Sequence, residues 1–397
     1  LNTALNPLDP YLAYLLAADA TDLHLSVGSA PWVRIDGQLL AMPDAPVVTT
    51  EFLTGIIDGL LSEVDRASFA EHRQVDLSFA WSAEGRSARL RANAYYQRDQ
   101  PALALRVIPD EIPTPEQIGL PESTSRLVTR PHGLVLMTGP TGSGKSTTLA
   151  AMIGWINHNR PVHVLTIEDP IEYVHRSDRA LVNQREVGSD CTSFAEALRA
   201  ALREDPDVVL VGEMRDLETI SLALTLAETG HLVFGTVHTN DAAQTVDRIV
   251  DAYPADQQPQ IRTQFSMTLA AVISQRLVPK IGGGRVAAYE VMMGTAAVTN
   301  LIREGQVRQI RNAIATGAKD GMMVLEASLN HLAKSGVVSY EAAVAASIYP
   351  EEIEAPPMQP MAMDPSTGQP LVTKDPLTGE PLGVAPGGQS PGAAPPR

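Results

Sequence analysis

Cysteine is nearly missing from this 397-residue chain, which carries Cys191 alone. One thiol can neither close an internal disulfide nor supply a Cys-cluster zinc site. Basic residues are also short: 30 Lys and Arg stand against 46 Asp and Glu, a formal net charge of −16. Proteins that grip nucleic acid by counterion release carry a basic surplus, so this balance argues against a helicase or packaging motor. Aromatics make up 5% of the residues, and no aromatic and basic strand-binding surface can be read. An acidic chain gains nothing from anionic lipid, so membrane contact would run through a protein partner. No apolar run reaches the roughly 18 residues of a membrane-spanning helix. No basic stretch followed by an apolar core reads as an export signal, so a reducing cytoplasm is the expected home.

What is there reads as globular, with 44% hydrophobic and 19% charged residues. The pattern predicts four regions. Residues 1–108 alternate short apolar runs with turns, as in Asp22-Leu23-His24-Leu25-Ser26 and in Trp32 to Ile35 before Asp36-Gly37, a hairpin signal. With a helix from Glu51 to Leu61 they form a small α+β domain. A proline-rich linker spans 109–121. Residues 122–350 alternate strands and helices, the mark of a mainly parallel sheet covered by helices. Strands are expected at Gly133–Met137, Val162–Ile167, Asp207–Val211 and Leu232–Val237; beyond about Pro254 the pattern reads as helical to Tyr349. Residues 351–397 are rich in proline and glycine, lack aromatics, and repeat Asp364–Leu371 imperfectly as Asp375–Leu382. Such a composition cannot offset its ordering entropy, so a disordered tail is expected.

Gly139-Pro140-Thr141-Gly142-Ser143-Gly144-Lys145-Ser146 matches the phosphate-loop pattern G-x-x-x-x-G-K-[ST] in full, between an apolar strand and a helix, with Thr147 following. Glycines let backbone N–H groups turn inward around phosphates. Lys145 would pair with the β- and γ-phosphates of ATP, and Ser146 would fill one Mg²⁺ position. A phosphate loop alone does not make a hydrolase, so the strand-end acids matter. Glu213 ends the apolar run Val208–Val211 and would hold Mg²⁺ through a water. Glu168 ends another run, where it could reach the γ-phosphate and orient the attacking water. Asp169 and Glu172 follow, Glu172 as a solvated loop carboxylate. His238 ends a third run and could hydrogen-bond a phosphate or a catalytic carboxylate.

Together these elements resemble the secretion ATPase superfamily of type II secretion and type IV pilus motors. Glu168–Glu172 matches its Asp box, Gly212–Thr219 its Walker B box and Thr236–Asp241 its His box. The similarity spans about residues 10–350 and extends to Asp22–Ser26, Thr239–Ile249, Tyr289–Met292 and Asn300–Gly305. Within the superfamily it is nearest the pilus retraction ATPases of twitching motility. The chain departs from them at Thr299, Gln306 and Arg308, and it lacks the four-cysteine zinc insert usual in assembly and type II ATPases. The resemblance implies a PAS-like N-terminal domain, a RecA-like motor domain and a homohexamer. It also implies docking on an inner-membrane platform protein, at the cytoplasmic face of the membrane without insertion into it. In the related ATPases two arginines with the separation of Arg91 and Arg106 approach the γ-phosphate, and the resemblance places that role on these two; Arg89 and Arg98 are expected to be solvated. Other readings stay open: an assembly or type II secretion ATPase, an accessory retraction ATPase, a RecA-like nucleic-acid translocase, or a nucleotide-gated scaffold.

Overall fold

A computed structural model describes residues 7–355 apart from Asp36, Glu84, Pro109 and Asp110. The expected tail, with its tandem near-repeat, lies outside the described residues from position 356 onward. Helix α1 (Asp9–Ala17) leads into β1 (Asp22–Ser26), β2 (Trp32–Ile35) and β3 (Gln38–Ala41). Then come α2 (Thr50–Leu60), α3 (Glu63–His72), β4 (Gln74–Ala83), β5 (Arg86–Gln97) and β6 (Gln100–Ile108). The strands form one antiparallel sheet in the order β3-β2-β1-β6-β5-β4. The hydroxyls of Thr49 and Ser62 accept backbone N–H bonds and start α2 and α3. Alternating residues such as Leu90, Ala92 and Ala94 on β5 turn into a core that also holds Leu23, Leu25, Leu53 and Ile57.

The second part begins with the short α4 (Ser125–Val128), then β7 (Gly133–Thr138), α5 (Lys145–Asn159), β8 (His163–Glu168) and β9 (Leu181–Glu186). It continues with α6 (Phe194–Ala201), β10 (Val208–Val211), α7 (Leu217–Glu228), β11 (Leu232–Val237), α8 (Ala242–Asp251) and α9 (Gln258–Thr268). Two long strands follow, β12 (Leu269–Pro279) and β13 (Arg285–Met293), and then α10 (Ala296–Arg303), α11 (Ile310–Thr316), α12 (Leu325–Lys334) and α13 (Tyr340–Ala346). The sheet order is β13-β12-β7-β11-β10-β8-β9, parallel throughout except for β13. Every residue of β7, β10 and β11 is buried, which is why these strands are unbroken apolar runs rather than alternating ones. Side-chain caps from Ser193, Asp216, Asp241 and Thr295 set the starts of α6, α7, α8 and α10.

The helical reading beyond Pro254 is corrected here. Residues 269–293 form the β12–β13 hairpin, which joins the sheet through β12 against β7. Leu269 to Ile273 is a run of buried apolar residues whose periodicity suits a helix or a strand equally. The turn at Gly282-Gly283-Gly284, with φ of 89°, 105° and 75°, is what reverses the chain. Glu352 and Ile353 still belong to the folded part: Asn330 donates to the Glu352 carbonyl at 2.9 Å, and Ile353 is buried. None of the described helices is long and apolar enough to cross a membrane.

Candidate active site

The loop between β7 and α5 passes through backbone that only glycine adopts easily, with φ of 140° at Gly139, 77° at Gly142 and 88° at Gly144. A Cβ on Gly139 would lie 2.3 Å from the Gln275 carbonyl oxygen. Pro140, Thr141 and Gly142 are exposed at the mouth of the loop, and Ser146 and Thr147 are partly exposed on the first turn of α5. Lys145 is buried, its Nζ donating to the carbonyls of Gly139 at 2.8 Å and Pro140 at 3.1 Å. Burial lowers its pKa, an effect opposed by the Glu213 and Glu172 carboxylates. The hydroxyls of Thr138 and Ser143 are buried without a hydrogen-bond partner. Unpartnered hydroxyls, a buried ammonium and a cradle that a Cβ would fill suit an anionic phosphate chain.

The strand-end acids lie on neighbouring strands. Glu168, at the end of β8, is partly buried and accepts bonds from Thr166 Oγ1 at 2.6 Å and Gln184 Nε2 at 3.2 Å. Burial raises its pKa. Gly212 stands between the acids: a Cβ there would come within 3.2 Å of the Glu168 Cα. Glu213 follows, bonded to Arg215, and its Oε1 lies 3.0 Å from His238 Nε2 just beyond β11. The structure thus joins Glu213 and His238 directly. Glu172 is exposed, while the nearby Tyr173 hydroxyl bonds Thr147 Oγ1 at 2.9 Å.

Arg91 and Arg106 face each other as register partners on β5 and β6. Their ion pairs stay within the small domain: Arg106 Nε meets Asp22 Oδ1 at 2.7 Å, and Arg91 Nη2 lies 3.8 Å from Asp76 Oδ1. Neither makes a hydrogen bond or ion pair to the phosphate loop in this chain. Arg89, expected to be solvated, is corrected: its Nη2 donates to Ser78 Oγ at 3.2 Å and its Nε is buried.

Gln275 and Glu290 escaped the sequence reading. From β12, Gln275 is buried against the loop; it donates to the Ser143 carbonyl at 2.8 Å and accepts from Thr148 Oγ1 at 2.7 Å. Glu290 on β13 accepts from the Ala242 N–H at 2.7 Å, and burial pushes its pKa up to about 7. For Gln275 the sequence signal is a polar residue inside an apolar run; Glu290 offers the same and lies in the Tyr289–Met292 segment of the resemblance, which assigned it no role.

A phosphate loop leading from β7, an inner strand of a mainly parallel sheet, into α5, with acids at the ends of β8 and β10, defines a P-loop nucleotide-binding α/β protein. Residues 103–344 match the model of the Type II/IV secretion system protein family, and the chain belongs to that family. It is 49% identical over 340 residues to the type IV pilus retraction ATPase PilT of Pseudomonas aeruginosa PAO1, covering 86% of this chain and 98% of that protein. The crystal structure of the pilus retraction motor PilT with bound ADP superposes with a TM-score of 0.80 at 49% identity, covering 86% of this chain and 97% of that one. The Legionella pneumophila ATPase DotB aligns with a TM-score of 0.74 at 27% identity, covering 87% of this chain and 98% of that one.

Proposed function

We propose that this chain is an ATP-hydrolysing motor that retracts type IV pili. The supporting observation is the Glu213–His238 pair and Glu168 at the ends of strands in the sheet whose β7 leads into the phosphate loop, in a chain similar to PilT over most of its length. ATP sits in the loop with its phosphates on the backbone N–H groups of residues 139–147. Lys145 exchanges the carbonyls of Gly139 and Pro140 for β- and γ-phosphate oxygens. Ser146 and, through a water, Glu213 would hold Mg²⁺, which would neutralise part of the phosphate charge. His238 fixes the Glu213 carboxylate. Glu168 orients the attacking water, and its burial-raised pKa makes it a better proton acceptor than an ordinary surface carboxylate. Arg91 and Arg106 reach a γ-phosphate when the small domain of the same or a neighbouring subunit closes, giving up Asp76 and Asp22.

The working form is a homohexamer peripheral to the cytoplasmic face of the inner membrane, docked on a pilus platform protein. Phosphate release by the purified protein, with and without DNA, separates this reading from a scaffold or a nucleic-acid translocase. Deleting the gene and scoring surface pili fixes direction: excess, non-retracting pili support retraction, and bald cells point to an assembly motor of the same family.

A further inference from the structure

Glu186 closes β9 directly opposite Glu168 at the end of β8. Its backbone is held from both sides, its N–H donating to Asp190 Oδ2 at 2.8 Å and its carbonyl accepting the Asp190 N–H at 2.8 Å. That clamp leaves the carboxylate little freedom, and it is buried. Its Oε2 accepts the backbone N–H of Ile171 at 3.1 Å, inside the acidic segment Glu168–Glu172. Its Oε1 accepts the Ser189 hydroxyl at 3.4 Å and, at 3.2 Å, the hydroxyl of Ser78 on β4 of the small domain. Ser78 Oγ in turn accepts Arg89 Nη2 at 3.2 Å, which leaves the serine proton directed at Glu186.

A buried carboxylate is costly unless its oxygens are satisfied, and this one spends its two oxygens on different parts of the molecule. One side reaches the segment that carries Glu168; the other reaches a strand of the small domain. The acidic segment also carries on to Tyr173, whose hydroxyl meets Thr147 beside the phosphate loop. We propose that Glu186 is a positioning residue: the hydrogen-bond chain Arg89–Ser78–Glu186–Ile171 couples the attitude of the small domain to the placement of Glu168. The inference rests on the reading of Glu168 as the group that orients water for ATP hydrolysis. It assigns the coupling to hydroxyl and carboxylate contacts on β4 and β9, away from Arg91 and Arg106.

The test uses the full chain with Ser78→Ala, Glu186→Ala, Glu186→Gln and the Ser78→Ala/Glu186→Ala pair. The readouts are kcat and KM for ATP, thermal midpoint, and amide hydrogen exchange at Ile171. Glu186→Ala is expected to lower kcat about tenfold or more with KM nearly unchanged, because the acidic segment is loosened while the phosphate loop is not. Glu186→Gln is expected to recover most of kcat, its amide oxygen accepting from Ile171 and its NH₂ donating to Ser78. Ser78→Ala touches nothing in the acidic segment, yet it is expected to speed exchange at Ile171 and lower kcat. The double variant should match Glu186→Ala alone, since both changes cut one path. The proposal is overturned if Ser78→Ala leaves both exchange and kcat unchanged. It is equally overturned if Glu186→Ala and Glu186→Gln lose stability and activity alike. If the wild-type chain hydrolyses no ATP, the functional reading fails, and the effect of Ser78→Ala on Ile171 exchange still decides the coupling.

Discussion

Gln275 Nε2 donates to the carbonyl oxygen of Ser143 at 2.8 Å, so β12, the first strand of the β12–β13 hairpin, holds the phosphate loop. The other end of the same amide accepts from Thr148 Oγ1, which pins the first turns of α5 as well. Gln275→Ala leaves the Ser143 carbonyl buried without its side-chain donor, at about 1–3 kcal/mol, and takes one partner from the Thr148 hydroxyl. The expected result is a lower thermal midpoint together with weaker ADP binding, read by calorimetry. A variant that melts early but binds ADP at the wild-type affinity would confine Gln275 to the core.

Gly139→Ala tests the cradle by shape alone. The added methyl would meet the Gln275 carbonyl oxygen at 2.3 Å and the Ser143 hydroxyl at 2.7 Å, in backbone at a φ of 140°. The Ser143 side chain can turn aside, but the Gln275 carbonyl is strand backbone and cannot, so the loop must open. Nucleotide affinity is expected to fall by about two orders of magnitude, a loss of roughly 3 kcal/mol. Unchanged far-UV circular dichroism with lost ADP binding is the predicted signature; retained affinity would contradict the loop geometry.

Lys145→Ala removes the cation facing the transferred phosphoryl group and is expected to abolish turnover, since such charge stabilisation is worth several kcal/mol. Glu168→Gln and Glu213→Gln are expected to keep ATP bound and lose rate. Because burial raises the Glu168 pKa, the acidic limb of the kcat profile should sit above the ordinary carboxylate range, with activity rising as pH rises through it. Glu168→Gln should erase that limb. A Glu168→Gln enzyme with wild-type turnover would remove the residue from the chemistry.

The phosphate loop was legible because every residue of its pattern is local and each type has one reason to be there. The strands Val208–Val211 and Leu232–Val237 were legible because burial on both faces leaves continuous apolar runs. The β12–β13 hairpin was not, since Leu269 to Ile273 satisfies both periods, although Gly282-Gly283-Gly284 between Val278 and Val286 marked a turn. Gln275 could not be found by spacing: it meets Ser143 across 132 residues of chain. Arg89 looked like any outward-facing strand residue, because its bond to Ser78 crosses from β5 to β4, a partnership that alternation along one strand does not reveal.

Glu290 supplies a pH dependence of stability with an unusual sign. Its carboxylate on β13 caps the first turn of α8 through the Ala242 N–H, the helix whose N-terminal side carries His238. Burial is the main cause of a pKa near 7 against an ordinary 4.5; the Asp241 and Glu326 carboxylates raise it further, while the Ala242 bond and Arg311 oppose the shift. Between those two values the folded chain holds a proton that the unfolded chain has released. Stability therefore falls as pH rises through that window, and the penalty is complete above it, up to about 3 kcal/mol. Glu290→Gln keeps an oxygen for Ala242 and never carries the charge. The stability of the variant minus that of the wild type should be small near pH 4.5, climb with pH, and level off above neutrality in urea denaturation series. A difference that is flat across this range would show that Glu290 is ionised in the folded protein throughout, with Arg311 and the α8 N-terminus compensating its burial.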